Sequence, residues 1–80
     1  MKDYSLALDH FLSAKEIYEK NLKVDHPVFI TLYQNLGASY RHLGKKRKSL
    51  LYYQMILSNL PPNHNDRDYY QKIIKEINGK

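Results

Sequence analysis

The chain has 80 residues, 13 Lys or Arg against 8 Asp or Glu for a formal charge of +5, and no cysteine. A domain this short buries a limited fraction of its surface, and without cysteine neither a disulfide framework nor a thiolate metal cluster can stiffen it, so packing must hold it together. No window approaches the roughly 18 apolar residues of a membrane span, and Met1 to His10 lacks the basic start and apolar run of a signal peptide; a soluble, intracellular, cytoplasmic protein is expected.

Tyr4, Ala7, Leu8, Phe11, Ala14, Tyr18 and Leu22 recur at spacings of three and four, the pattern of a helix with one apolar stripe. This predicts a first helix from about Asp3 to Lys23. Asp25-His26-Pro27 breaks it, because proline disfavours helix in the residue before it yet suits the first turn of a new one. The second helix, about Pro27 to Leu43, carries Phe29, Leu32, Tyr33, Leu36, Tyr40 and Leu43 on one face, with Gly44 as its stop. A third, about Lys46 to Asn59, carries Ser49, Leu50, Tyr53, Ile56, Leu57 and Leu60 and ends at Pro61-Pro62. Asp66 is the cap candidate for a fourth helix bearing Tyr69, Tyr70, Ile73, Ile74 and Ile77, closed by Asn78-Gly79. Nothing alternates with period two, so no strand is expected.

An internal repeat connects the first and third helices. Ala7, Leu8, Phe11 and Ala14 stand 42 residues before Ser49, Leu50, Tyr53 and Ile56. Repeats of this length arise where one unit cannot bury its apolar face alone and must stack on a neighbour.

Tyr33, Leu36-Gly37, Tyr40, Gly44, Ser49, Tyr53 and Pro61 stand at the spacing of the tetratricopeptide repeat, and the chain resembles that family over about Asp3 to Pro62. The long tail of the first helix and the Asp25-His26-Pro27 turn resemble the 42-residue repeats of the kinesin-light-chain type. The resemblance implies an all-α, antiparallel helix-turn-helix fragment of a right-handed solenoid. Residues 1–24 would be the second helix of an incomplete repeat, 25–62 a full helix pair and 63–80 a capping helix. Two features depart from the pattern: Ile56 replaces a small residue at a close helix contact, and the cations Lys45, Lys46, Arg47 and Lys48 replace acidic or mixed residues.

In the family the first helix of each pair lines a groove that holds an extended or helical peptide. The positions so implied are Thr31, Gln34, Asn35, Ala38, Arg41 and His42, opposite the Leu32, Leu36 and Leu43 stripe. Asn35 is the leading candidate, since an amide offers donors and an acceptor together, as a peptide backbone requires. Arg41 would pair with an acidic side chain or terminal carboxylate. The plainer reading makes Asn35 a surface or inter-repeat hydrogen bonder.

Arg41, Lys45, Lys46, Arg47 and Lys48 place five cations within eight residues. This basic patch reads first as a solvated helix start, then as a contact for an acidic partner or phosphates, and least as a nuclear import signal. The tyrosines fall on helical stripes instead of alternating with the cations, which argues against nucleic acid. His10, His26, His42 and His64 lie at least 16 residues apart, so no metal site is expected. No serine sits in a strained glycine-flanked turn, and Gly44-Lys45 lacks the upstream glycine of a phosphate loop. No catalytic site and no cofactor are expected. The function expected is an adaptor or scaffold that binds a peptide or partner helix. The alternative is a self-assembly module, or a fragment of a longer array, docking through the open face of the first helix.

Overall fold

The structure, a computed structural model, describes residues 3–23 and 26–79. It contains four helices: α1 (Tyr4–Asn21), α2 (Val28–His42), α3 (Lys46–Asn59) and α4 (Arg67–Asn78), and no strand among the described residues. Each helix packs on its neighbour in sequence, α1 on α2, α2 on α3 and α3 on α4. The result is a slab of 34 × 33 × 20 Å.

The helix ends follow from local chemistry. Asp3 caps α1, its Oδ1 accepting the Leu6 N–H at 3.0 Å, which satisfies one of the orphan donors of the first turn. At the start of α2, Pro27 occupies the cap position and His26 Nδ1 accepts the Val28 N–H at 3.2 Å; Asp25 lies outside the described residues. Gly44 ends α2 with a left-handed φ of +76°. It allows the Lys45 N–H to reach the Tyr40 carbonyl at 2.8 Å and its own N–H to reach the Arg41 carbonyl at 3.1 Å, the double bond of a Schellman motif. Gly79, at φ −76°, uses no such conformation. Asp66 precedes α4, but its side chain makes no cap bond; its N–H donates instead to His64 Nδ1 at 3.0 Å. The turns before α2 and α4 thus use the same device, a histidine ring accepting the N–H two residues on.

The core lies between α2, α3 and α4, where Phe29, Leu32, Tyr33, Leu36, Tyr53, Ile56 and Tyr70 are buried. Helix α2 approaches α3 closely because Gly37 has no side chain: a Cβ there would stand 2.9 Å from the Tyr53 ring. Beside this contact, Ser49 Oγ donates to the Gly37 carbonyl at 2.8 Å. Helix α1 contributes no fully buried residue; its expected stripe of Leu8, Phe11, Ala14, Tyr18 and Leu22 is half-buried. Leu43, expected on the α2 stripe, is 38% exposed, since it has already left the helix as its C-cap.

One contact had no sequence expectation. Arg67 Nη1 donates to the Leu57 and Leu60 carbonyls at 2.8 and 3.1 Å, so the first residue of α4 satisfies the open end of α3. A cation there also faces the negative pole of the helix dipole.

Candidate binding groove

Helix α2 is flanked by α1 on one side and by α3 and α4 on the other, and the six expected groove residues divide between these flanks. Thr31, Asn35 and Ala38 follow a 4-3 spacing that keeps them on one row, and they face α1. Phe11, Ala14 and Tyr18 of α1 with Val28, Thr31 and Asn35 of α2 line a depression of about 230 Å³. It continues into a second, of about 350 Å³, lined by Tyr4, Ala7 and Phe11 with Asn35, Ala38 and Ser39. Asn35 borders both. Its amide is half-buried and makes no hydrogen bond among the described residues. His42 closes the far end, its ring stacked on Tyr4 at 4.1 Å between centroids and 8° between planes.

Gln34 and Arg41, seven residues apart, face the other way. Gln34 Oε1 accepts the Tyr70 hydroxyl of α4 at 3.2 Å. Arg41 is exposed and lines a separate depression with Gly44, Lys46 and Ile77. The geometry therefore separates Arg41 from Asn35 and joins it to the basic run. Lys45, Lys46, Arg47 and Lys48 are all exposed and line a surface depression of their own. No acidic residue sits in the first turn of α3, but Lys48 Nζ lies 5.4 Å from the centre of the Tyr40 ring. That contact offsets part of the cost of a cation near a helix N-terminus.

Five of the eight tyrosines, Tyr33, Tyr40, Tyr52, Tyr53 and Tyr70, are buried. A ladder of rings runs from Tyr18 through Phe29, Tyr33 and Tyr52 to Tyr40, with centroid spacings of 5.7 to 6.3 Å. Burial pushes the phenols of Tyr33, Tyr52, Tyr53 and Tyr70 above their ordinary pKa, with the Arg41 charge working against this at Tyr53. Beside the ladder stands Lys15. Burial disfavours its charge, yet the hydrogen bond to Glu19 and the neighbouring Tyr52, Glu19 and Tyr33 hold its pKa above the ordinary value. Its Nζ is 3.2 Å from Glu19 Oε2.

Among the described residues, no three His, Cys, Asp or Glu side chains come together as metal ligands do, and no helix is long and apolar enough to cross a membrane. An antiparallel stack in which each helix touches its sequence neighbour, joined by a glycine contact and bordered by an open groove, defines a helical-repeat protein. The model of the tetratricopeptide repeat family matches residues 1–61, and the chain belongs to that family. The match is consistent with the kinesin-light-chain-like subtype, and repeats of this family generally mediate protein–protein interaction. No curated protein and no solved structure matches the chain.

Proposed function

We propose that this chain is an adaptor that holds a peptide or helical segment of a protein partner along the groove between α1 and α2. The observation that supports this best is Asn35, a half-buried amide at the meeting point of two apolar depressions with no hydrogen-bond partner among the described residues. Such a group fixes the register of a bound backbone, while Phe11, Tyr18 and Val28 supply apolar contact. Arg41 and the basic run form a second, separate contact for an acidic side chain or terminal carboxylate. In this reading residues 1–24 are half of a repeat, 25–62 a full pair and 63–80 a cap whose outer face carries Asp68, Gln71, Lys72, Lys75 and Glu76.

The test is selection of binders from a displayed peptide library on the intact chain, followed by titration against Asn35→Ala and Arg41→Ala. Loss of binding with unchanged helicity by circular dichroism is expected for Asn35→Ala, and a weaker effect, confined to acidic ligands, for Arg41→Ala. Binders indifferent to Asn35 remove the groove.

A second reading is self-assembly through α1. It is favoured by the absence of any fully buried α1 residue and by the exposure of Leu6 and Ile17. Light scattering across about a hundredfold range of concentration distinguishes it, because only an associating chain changes mass with concentration.

A further inference from the structure

The charge of this chain is concentrated in its middle. The 40 residues from His26 to Asn65 contain no aspartate or glutamate, and Arg41, Lys45, Lys46, Arg47 and Lys48 lie within them. Outside that span eight acids balance eight cations, so the whole formal charge of +5 belongs to the end of α2, the start of α3 and the turn between them. Lys45, Lys46, Arg47 and Lys48 are exposed. Arg41, Lys45, Arg47 and Lys48 form no ion pair among the described residues.

Folding alone does not favour this run. The N-cap of α3 is Lys45, whose side chain makes no cap bond, and the first turn holds no acid. Cations there oppose the helix dipole and repel one another, and the contact of Lys48 with the Tyr40 ring offsets part of that cost. Such a local conflict is expected where a partner of opposite charge supplies what the chain lacks.

The same corner exposes apolar side chains. Leu51 follows Arg47 by four residues and Lys48 by three, which makes it a neighbour of both on the helix surface, and it is 53% exposed. Leu43, two residues before Lys45, is 38% exposed. Beyond the cations the outward side of α3 carries Leu51, Gln54 and Ser58, with Met55 half-buried beside them. None of these is charged, so nothing along that side repels an anionic surface.

These features select among polyanions. Tyr40, Tyr52 and Tyr53 are buried, so the patch gives the bases of a nucleic acid no stacking platform. A phosphate backbone or a tract of carboxylates engages the cations but offers the leucines nothing apolar. A bilayer of acidic phospholipid offers both, headgroup charge for the cations and the acyl boundary for the leucines. No helix among the described residues is long and apolar enough to cross a membrane, but lying on one requires neither that length nor a continuous apolar run.

We propose that the α2–α3 corner docks the chain on an anionic membrane surface, with Lys45, Lys46, Arg47 and Lys48 at the lipid headgroups and Leu43 and Leu51 at the acyl boundary. This goes beyond the adaptor reading, since Asn35 and its groove lie on the other flank of α2. A partner's carboxylate is the rival occupant of the same cations, and the test separates the two.

The test is co-sedimentation of the intact chain with vesicles of phosphatidylcholine, alone or with about one-third phosphatidylserine. Binding is expected to the anionic vesicles only, and should weaken about tenfold or more between about 0.1 and 0.5 M salt. Lys45→Glu combined with Arg47→Glu should weaken it about a hundredfold or more, since each cation near an anionic leaflet is worth about fivefold and two are both removed and reversed. Glutamate suits a helix N-terminus, so circular dichroism should show helicity kept or raised in that variant. Leu51→Ser, at an exposed position, should weaken vesicle binding about threefold or more. No binding to the anionic vesicles, equal binding to the neutral ones, or binding indifferent to the charge reversal or to Leu51→Ser overturns the proposal. So does polyglutamate or a DNA duplex bound at least as tightly as the vesicles, because the occupant is then an acidic protein segment or a nucleic acid.

Discussion

The two ends of the stack carry related helices in different states of burial. At one end α3 lies between α2 and α4, and its Ser49, Tyr53 and Ile56 are removed from water; at the other, Ala7, Phe11 and Ala14 of α1 meet α2 alone. The same kind of stripe is therefore removed from water where two helices cover it and left half-buried where one does. An apolar stripe contributes stability in proportion to the area it removes from water, so a half-covered stripe contributes correspondingly less.

Truncation tests this most strongly. Leu36→Ala, at a fully buried position, should cost about 2–5 kcal/mol, enough to unfold much of a small domain. Phe11→Ala, at a half-buried one, should cost clearly less than the about 3–5 kcal/mol typical of a buried phenylalanine. Equal losses by urea denaturation would erase the distinction between the ends. Gly37→Ala places a methyl against the buried Tyr53 ring and should destabilise by about 1–3 kcal/mol, outweighing the better helix propensity of alanine, worth up to about 1 kcal/mol. Thermal melting decides the sign.

Ser49→Ala removes the buried hydroxyl that donates to the Gly37 carbonyl and should cost about 1 kcal/mol. The matching change on α1, Ala7→Ser, should cost less, since a half-exposed hydroxyl keeps its water. Alkaline titration probes the tyrosines of the covered end together with Lys15 of α1, whose pKa is also raised. Tyr33, Tyr52, Tyr53 and Tyr70 have pKa values raised by burial, so above pH of about 10 the folded state retains protons that the unfolded chain releases. Their contribution is whole below that pH and is lost as pH rises through the folded values. Circular dichroism should show α2, α3 and α4 failing together on that limb. The smallest effect belongs to Ile17→Lys, expected within about 0.5 kcal/mol of the parent in urea; a larger loss would mean that the α1 face is already covered.

Much of the architecture is legible in the sequence because its signals are local. Periodic apolar residues, Pro27, Gly44 and Pro61-Pro62 mark four helices within a residue or two of their observed ends, and the order of small and aromatic residues marks the repeat. The surroundings of the α2 positions are legible only in part. Spacing relative to Leu36-Gly37 selects the exposed and half-exposed positions of α2, but it does not tell which neighbour each faces, so the placement of Gln34 and Arg41 on a different flank from Asn35 is visible only in the structure. The Arg67 bridge to the end of α3 had one signal, a cation at the first position after a polar turn, and that signal is too common to be specific.

The amino-acid sequence by itself determined the helices, their breaks and the family, since each depends on residues within a few turns of one another. Tertiary structure alone decided that α1 would remain half-covered, that Thr31, Asn35 and Ala38 would border one groove, and that Arg41 would join the basic run. Those outcomes depend on which helix lies beside which, and a stripe of apolar residues reads the same whether one helix covers it or two.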